Sequence, residues 1–320
     1  MNHPSCPGSG RASWRRFVLL CLWLLVGIAP AAAHPALWVA RDADTTVYLF
    51  GTVHILSDHV EWRFPALDAA LDTSDALYVE VPADAADKGT MQALVQRYGL
   101  DPSHPLSSRL SDSENTLLGK AAVAAGLPGG RAALQPMKPW LAALTLSVAP
   151  LLKAGMDPEL GVDKLLQARM KNAGKPIHGL ETAERQIRIL ADLPESVQLA
   201  LLRSTLHDFA HAKAELGAIV DAWLAGDTSH IANLLAAQMR KRSDVLYQRL
   251  LVDRNRQWAH DIATLMHERP GTLFIAVGAA HLAGPDRVQA QLRQLGITAH
   301  RVRDAAPPAS ATSASSRTTE

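Results

Sequence analysis

The chain has 320 residues, with 32 Lys and Arg against 31 Asp and Glu and a formal charge of +1 at neutral pH. Both cysteines, Cys6 and Cys21, lie in the first 33 residues, and removing those residues takes away Arg11, Arg15 and Arg16 but no acid. The remainder is slightly acidic and free of thiols, which excludes a disulfide framework, a thiolate nucleophile and a thiolate metal site, and gives no basic surface to recruit nucleic acid or an anionic membrane.

In chain order, the first segment carries its arginines ahead of the apolar run FVLLCLWLLVGIAP and the small residues Ala31, Ala32 and Ala33. That layout predicts a cleavable signal over residues 1–33, with cleavage after Ala33. The apolar run is short for a membrane span, so the expected product is periplasmic or secreted, with no stable membrane insertion after cleavage. Residues 37–40 and 46–50 are β-rich runs around a polar turn and predict a β-hairpin. Residues 60–72 turn helical, with Trp62, Leu67 and Leu71 inward. ALYVEVP (76–82) is a continuous apolar strand of the kind covered on both faces, stopped by Pro82.

A long helical region follows, broken by Pro and Gly near 101–105, 126–130 and 155–161. KPIHGLE (175–181) predicts a short strand ending in an acid. Helical patterns return over 195–203 and 219–268. TLFIAVG (272–278) is the most evident buried strand, 288–295 an amphipathic helix closed by Gly296, and 298–302 a last strand. Strands alternating with helices imply crossover connections and a mainly parallel sheet, so the fold expected is α/β with an N-terminal β-hairpin and a large helical insert. The Ala-, Ser-, Thr- and Pro-rich segment 304–320 has too few hydrophobes to offset its ordering entropy and reads as a disordered tail, which leaves one domain over 34–303.

LFGTVH and VGAAH each end an apolar strand in Gly-x-x-His. His54, Glu80, Glu181 and His281 all fall at or just beyond the C-terminal end of a predicted strand, where open α/β sheets bind ligands. Two imidazoles and a carboxylate, with no cysteine, suit Zn²⁺, Mn²⁺, Fe²⁺ or Co²⁺. Glu181 would then orient a ligand histidine or accept a proton from bound water. On spacing alone a second reading stands beside this one, in which the histidines serve as turn or helix-cap residues.

LFGTVHILSDH, ALYVEVP, HGLETAERQI, VDRNRQW and FIAVGAAHLAGPDRV, in this order over roughly residues 36–303, resemble the TraB/GumN family of the Tiki superfamily. The resemblance implies an α/β fold related to the erythromycin-esterase and haem-binding ChaN-like proteins. It implies His54, Glu80 and His281 as a metal set and, by likeness to the animal Tiki proteins, a metal-dependent protease using Mn²⁺ or Co²⁺. Arg254 and Asn255 match the family's Arg-Asn pair and are expected to contact the substrate or the metal ligands. A guanidinium there would hold a carboxylate or an oxyanion, or else pair with Glu80 or Glu181 to hold the sheet edge. Glu181 is likewise open between a catalytic role and capping the helix that starts at Thr182.

Asp163 matches the family's Gly-x-Asp, with capping as the preferred role. His59 either lines the pocket mouth or is solvated. His207 and His211 have ligand spacing on a helix but lack the glutamate of HExxH, and are expected on the surface. No GxSxG, GxGxxG or GxxxxGK[ST] occurs, which removes a serine elbow and phosphate loops. Trp140 and Trp223 read as core. Three functions are expected from this pattern: a metal-dependent hydrolase of peptide bonds, a non-catalytic binder of haem or metal in the envelope, or an esterase of a small molecule.

Overall fold

The computed structural model describes residues 34–302. The predicted signal (1–33) and tail (304–320) lie outside the described residues. Among the described residues, no helix is long and apolar enough to cross a membrane.

Six strands form one sheet: β1 (Leu37–Arg41), β2 (Thr45–Thr52), β3 (Ala76–Val79), β4 (Ile177–Gly179), β5 (Gly271–Gly278) and β6 (His300–Arg301), in the order β4-β3-β5-β2-β1-β6. β2, β3, β4 and β5 run parallel, whereas β1 pairs antiparallel with β2 and with β6. The fold is therefore α/β with a mostly parallel sheet. Helices of seven or more residues are α1 (Pro65–Thr73), α2 (Lys88–Gly99), α3 (Asp112–Ala124), α4 (Pro139–Lys153), α5 (Val162–Asn172), α6 (Ala183–Ala191), α7 (Glu195–Asp208), α8 (Ala212–Leu224), α9 (Asp253–Glu268) and α10 (Val288–Gln294).

Alternate strand residues serve opposite faces, as the two-residue period of a strand requires. Phe50, Leu77 and Phe274 pack with Leu67 and Leu71 of α1, Leu166 and Met170 of α5 and Trp223 of α8. Leu49, Tyr78 and Ile275 pack with Trp258, Ile262 and Met266 of α9 and with Val288 and Leu292 of α10. Both faces are thus covered, which is why β3 and β5 read as unbroken apolar runs. A separate core, built around Leu118, Leu146 and Leu202, joins α3, α4 and α7.

Two elements depart from the sequence expectation. The helix expected from residue 60 starts at Pro65, because proline suits the first helical position while disfavouring helical backbone in the residue before it. The stretch 219–268 is not continuous. It breaks at residues 225–227 and again at Ser243, whose Oγ accepts from Leu246 N to cap the next turn, and it contains two π-helical segments, Ala232–Ala237 and Gln248–Val252.

Phe274 is fully buried, its ring 6.2 Å from that of Phe50 and 6.4 Å from that of Tyr48. Phe274→Ala is expected to lower unfolding free energy by about 3–5 kcal/mol in urea denaturation. A loss under about 1 kcal/mol would contradict this packing.

Candidate active site at the carboxyl edge of the sheet

The parallel strands deliver their C-terminal ends to one edge, and the polar residues leave from there. His54 follows β2, and its segment is fixed by three backbone ties: Trp223 Nε1 donates to Gly51 O (2.8 Å), Val162 N to Val53 O (2.9 Å) and Asp157 N to Leu56 O (2.8 Å). Glu80 and Glu181 sit side by side because the β3–β4 pairing continues past the strands, with Leu180 N donating to Val79 O and Glu181 N to Glu80 O. His281 lies in the single turn Ala279–Leu282 that follows β5.

These side chains meet beside Gly278. A Cβ on Gly278 would lie 3.2 Å from Glu80 Oε1, 3.5 Å from His54 Nε2 and 3.7 Å from His281 Cδ2. A Cβ on Gly51 would meet the Cα of Ala279 at 3.0 Å. The two glycines of the Gly-x-x-His motifs therefore serve close approach, Gly51 for the chain after β5 and Gly278 for the reactive groups.

Arg254, on α9, lies at the centre of the cluster. All five of its N–H groups are used: Nε on Glu181 Oε2 (3.3 Å), NH1 on Leu250 O (3.3 Å) and His281 Nε2 (3.1 Å), and NH2 on Glu80 Oε2 (2.5 Å) and Glu181 Oε1. Its guanidinium carbon is 4.5 Å from the centre of the Trp258 ring, which also packs on His281. Arg254 thus pairs with both Glu80 and Glu181 at the sheet edge. Both oxygens of Glu181 are likewise engaged, by Arg254 and by Gln186.

The hydrogen bonds determine the His281 tautomer. Asn255 Nδ2 donates to Asp286 O (2.8 Å), so Asn255 Oδ1 faces His281 Nδ1 at 2.5 Å and can only accept. Nδ1 carries the proton, and Nε2 offers a lone pair, taken here by Arg254 NH1. Burial lowers the His281 pKa to about 3, which keeps the ring neutral. Burial would raise Glu80, but the charge of Arg254 dominates and holds it ionised, at about 2.

His54 is the exposed member, and its Nδ1 lies 3.0 Å from Asp163 Oδ1 in the first turn of α5. Desolvation works against a charge on this ring, but the hydrogen bond and charge of Asp163, aided by Glu80, raise its pKa from 6.5 to about 8. Because the shift is upward, the contact stabilises the fold most fully below pH 6.5, and that contribution is lost as pH rises through about 8.

Two adjoining cavities, of about 630 and about 360 Å³, share His54, Glu80, Leu250 and Arg254. Met91, Trp140 and Leu144 of the helical insert and Ile187 and Leu190 of α6 wall the larger one.

His54, Glu80, Glu181, Arg254, Asn255 and His281 are thus brought together. His59 is exposed and pairs with Asp58, while His207 is exposed, bonds Asp208 and is separated from His211 by the end of α7. Sequence reasoning missed Gln186, whose Nε2 donates to Glu80 Oε2 (3.0 Å), and Trp258. The available signals were position: Gln186 lies five residues after a strand-end acid, and Trp258 lies four after Arg254 on one helical face. Asp163, preferred as a cap, is the partner of His54.

An α/β protein with a histidine, glutamate and arginine cluster at the carboxyl edge of its sheet is the class that fold and site define. Residues 36–301 match the model of the TraB/PrgY/gumN family, and the chain belongs to that family. It is similar to the uncharacterized protein YbaP of Escherichia coli K12 and to its Shigella flexneri counterpart, each 29% identical over 259 residues that cover 81% of this chain and 92% of the relative. No solved structure matches.

Two outcomes follow from this geometry. In Asp163→Asn, the midpoint of the His54 imidazole followed by NMR should fall well below about 8, because desolvation then dominates, and a midpoint still near 8 would contradict the Asp163 cause. Arg254→Ala leaves two buried carboxylates facing each other and should destabilise the protein by about 3–5 kcal/mol in chemical denaturation, with Glu181→Gln in the same background restoring part of it. Unchanged stability would contradict the organising role of Arg254.

Proposed function

We propose that the chain is a hydrolase, acting on peptide bonds, that holds a divalent ion with His54 Nε2, Glu80 Oε1 and His281 Nε2, and that it works in the periplasm or outside the cell. The observation that carries this reading is the shared orientation of the two imidazoles. Each has Nδ1 on a side-chain oxygen, Asp163 for His54 and Asn255 for His281, which leaves His54 Nε2 beside Gly278 near Glu80 Oε1 and His281 Nε2 3.8 Å from the same Glu80 Oε1. That is how metal-ligating histidines are fixed. The resemblance to the Tiki proteases favours the same choice.

The donor chemistry fits such an ion: two nitrogens and an ionised carboxylate, without sulfur. Among the described residues no three His, Cys, Asp or Glu side chains come together in metal-holding geometry. In the conformation described, Arg254 NH1 lies on His281 Nε2. Use of that nitrogen as a ligand requires NH1 to turn away, while Nε and NH2 keep their hold on Glu181 and Glu80. An ion held there would supply a Lewis acid that lowers the pKa of water. The residues of the chain do the rest. Asp163 and Asn255 orient the imidazoles, Arg254 balances the charge of Glu80 and Glu181, and the cavity walls exclude water from the substrate.

The test is metal analysis and peptide hydrolysis with Mn²⁺, Co²⁺ and Zn²⁺ on purified protein. The wild type is expected to bind one ion per chain and to cleave peptides, His54→Ala and His281→Ala to lose both properties, and His207→Ala to keep both. Metal retained by the double variant His54→Ala/His281→Ala, or a Soret band from added haem without divalent binding, would overturn the proposal.

A further inference from the structure

The smaller cavity differs in chemistry from the larger. Away from the mouth formed by His54, Glu80, Arg254 and His281, it is walled by Leu216 and Ile219 of α8 and by Leu235, Met239, Leu250 and Leu251. No charged side chain stands on that wall, so a polar or charged group placed there would lose water without gaining a partner.

The wall is also where the backbone is least regular. Leu235 belongs to the π-helical segment Ala232–Ala237, and Leu250 and Leu251 to Gln248–Val252, where Asp253 N donates to Gln248 O five residues back. π-helical turns are rare in globular proteins and concentrate at functional sites, because the extra residue per turn redirects side chains. The second segment also ties the wall to the cluster, since its Leu250 carbonyl accepts Arg254 NH1. The two irregular segments therefore both contribute to the aliphatic cavity, and the second also holds the guanidinium at its mouth.

We propose that this cavity is a specificity pocket that receives a large apolar side chain, that of Leu, Met or Phe, from a peptide lying across the cluster next to the bond that is cut. The inference rests on the hydrolase reading and adds the substrate class to it. A peptide suits the arrangement because the larger cavity shares His54, Glu80 and Arg254 with the smaller one and is lined also by Gln167, Gln186 and Lys164. A chain can thus pass the cluster with one side chain in the aliphatic pocket and its polar backbone in the mixed cleft. An apolar pocket discriminates among side chains by size, about 10-fold or more between residues that differ by several carbons.

The test measures binding without requiring turnover. Ligand-observed NMR titrations of N-acetyl-leucinamide, N-acetyl-alaninamide and decanoate are run on the wild type and on Leu235→Trp and Leu251→Trp, which fill the cavity. Leu235 is half-buried, so Leu235→Trp decides the matter if Leu251→Trp fails to fold. The expected result is at least about 10-fold tighter binding of the leucine than of the alanine derivative by the wild type, with most of that preference lost in the tryptophan variants. Equal binding of the two amides by the wild type, a preference unchanged in Leu235→Trp, or binding of decanoate alone would overturn the pocket. Absence of any peptide cleavage, with the leucine preference intact and sensitive to Leu235→Trp, would overturn the hydrolase reading and leave the pocket standing.

Discussion

The carboxyl edge of this sheet depends on one buried cation. Arg254 reaches from α9 to the ends of β3 and β4 and to the turn after β5, and its five N–H groups are all spent there. Without it, Glu80 and Glu181 would face each other inside the protein, an arrangement that two charged carboxylates cannot hold without a counter-charge. With it, Glu80 stays ionised although buried, and His281 keeps an unprotonated Nε2. Trp258 packs against both Arg254 and His281.

The same network divides the labour among the acidic residues. Glu181 has both oxygens committed and serves as a support for Arg254. Glu80 spends Oε2 on Arg254 and Gln186, while Oε1 accepts only Gly278 N and faces His54 and His281. Asp163 adds its hydrogen bond and charge to His54, which Glu80 and Arg254 also influence, whereas burial dominates at His281. The two imidazoles therefore differ, His281 held neutral by burial and His54 raised to about 8.

Much of this was legible in the sequence. The strands announced themselves as apolar runs because both faces are covered, and the strand-end residues His54, Glu80, Glu181 and His281 could be placed at one edge because a parallel sheet sends its C-terminal ends the same way. The partners that give those residues their chemistry were harder to read. That Asp163 meets His54, or that Asn255 fixes His281, depends on how α5 and α9 are rotated against the sheet, and helical periodicity sets the buried face without setting which polar residue at its border points inward. The π-helical turns were hidden for a related reason. One extra residue in a helix of mixed Leu, Ala and charged residues leaves an apolar stripe that reads much like an unbroken helix, and the aliphatic cavity they shape was hidden with them.

X-ray absorption spectroscopy of the protein loaded with one equivalent of Co²⁺ reads the ligands of the ion directly. Two imidazole nitrogens and carboxylate oxygen are expected around the ion in the wild type, falling to one imidazole in His281→Ala. A spectrum with no imidazole, or one that His281→Ala leaves unchanged, would contradict this ligand set and leave Arg254 as the only cation this cluster is built to hold.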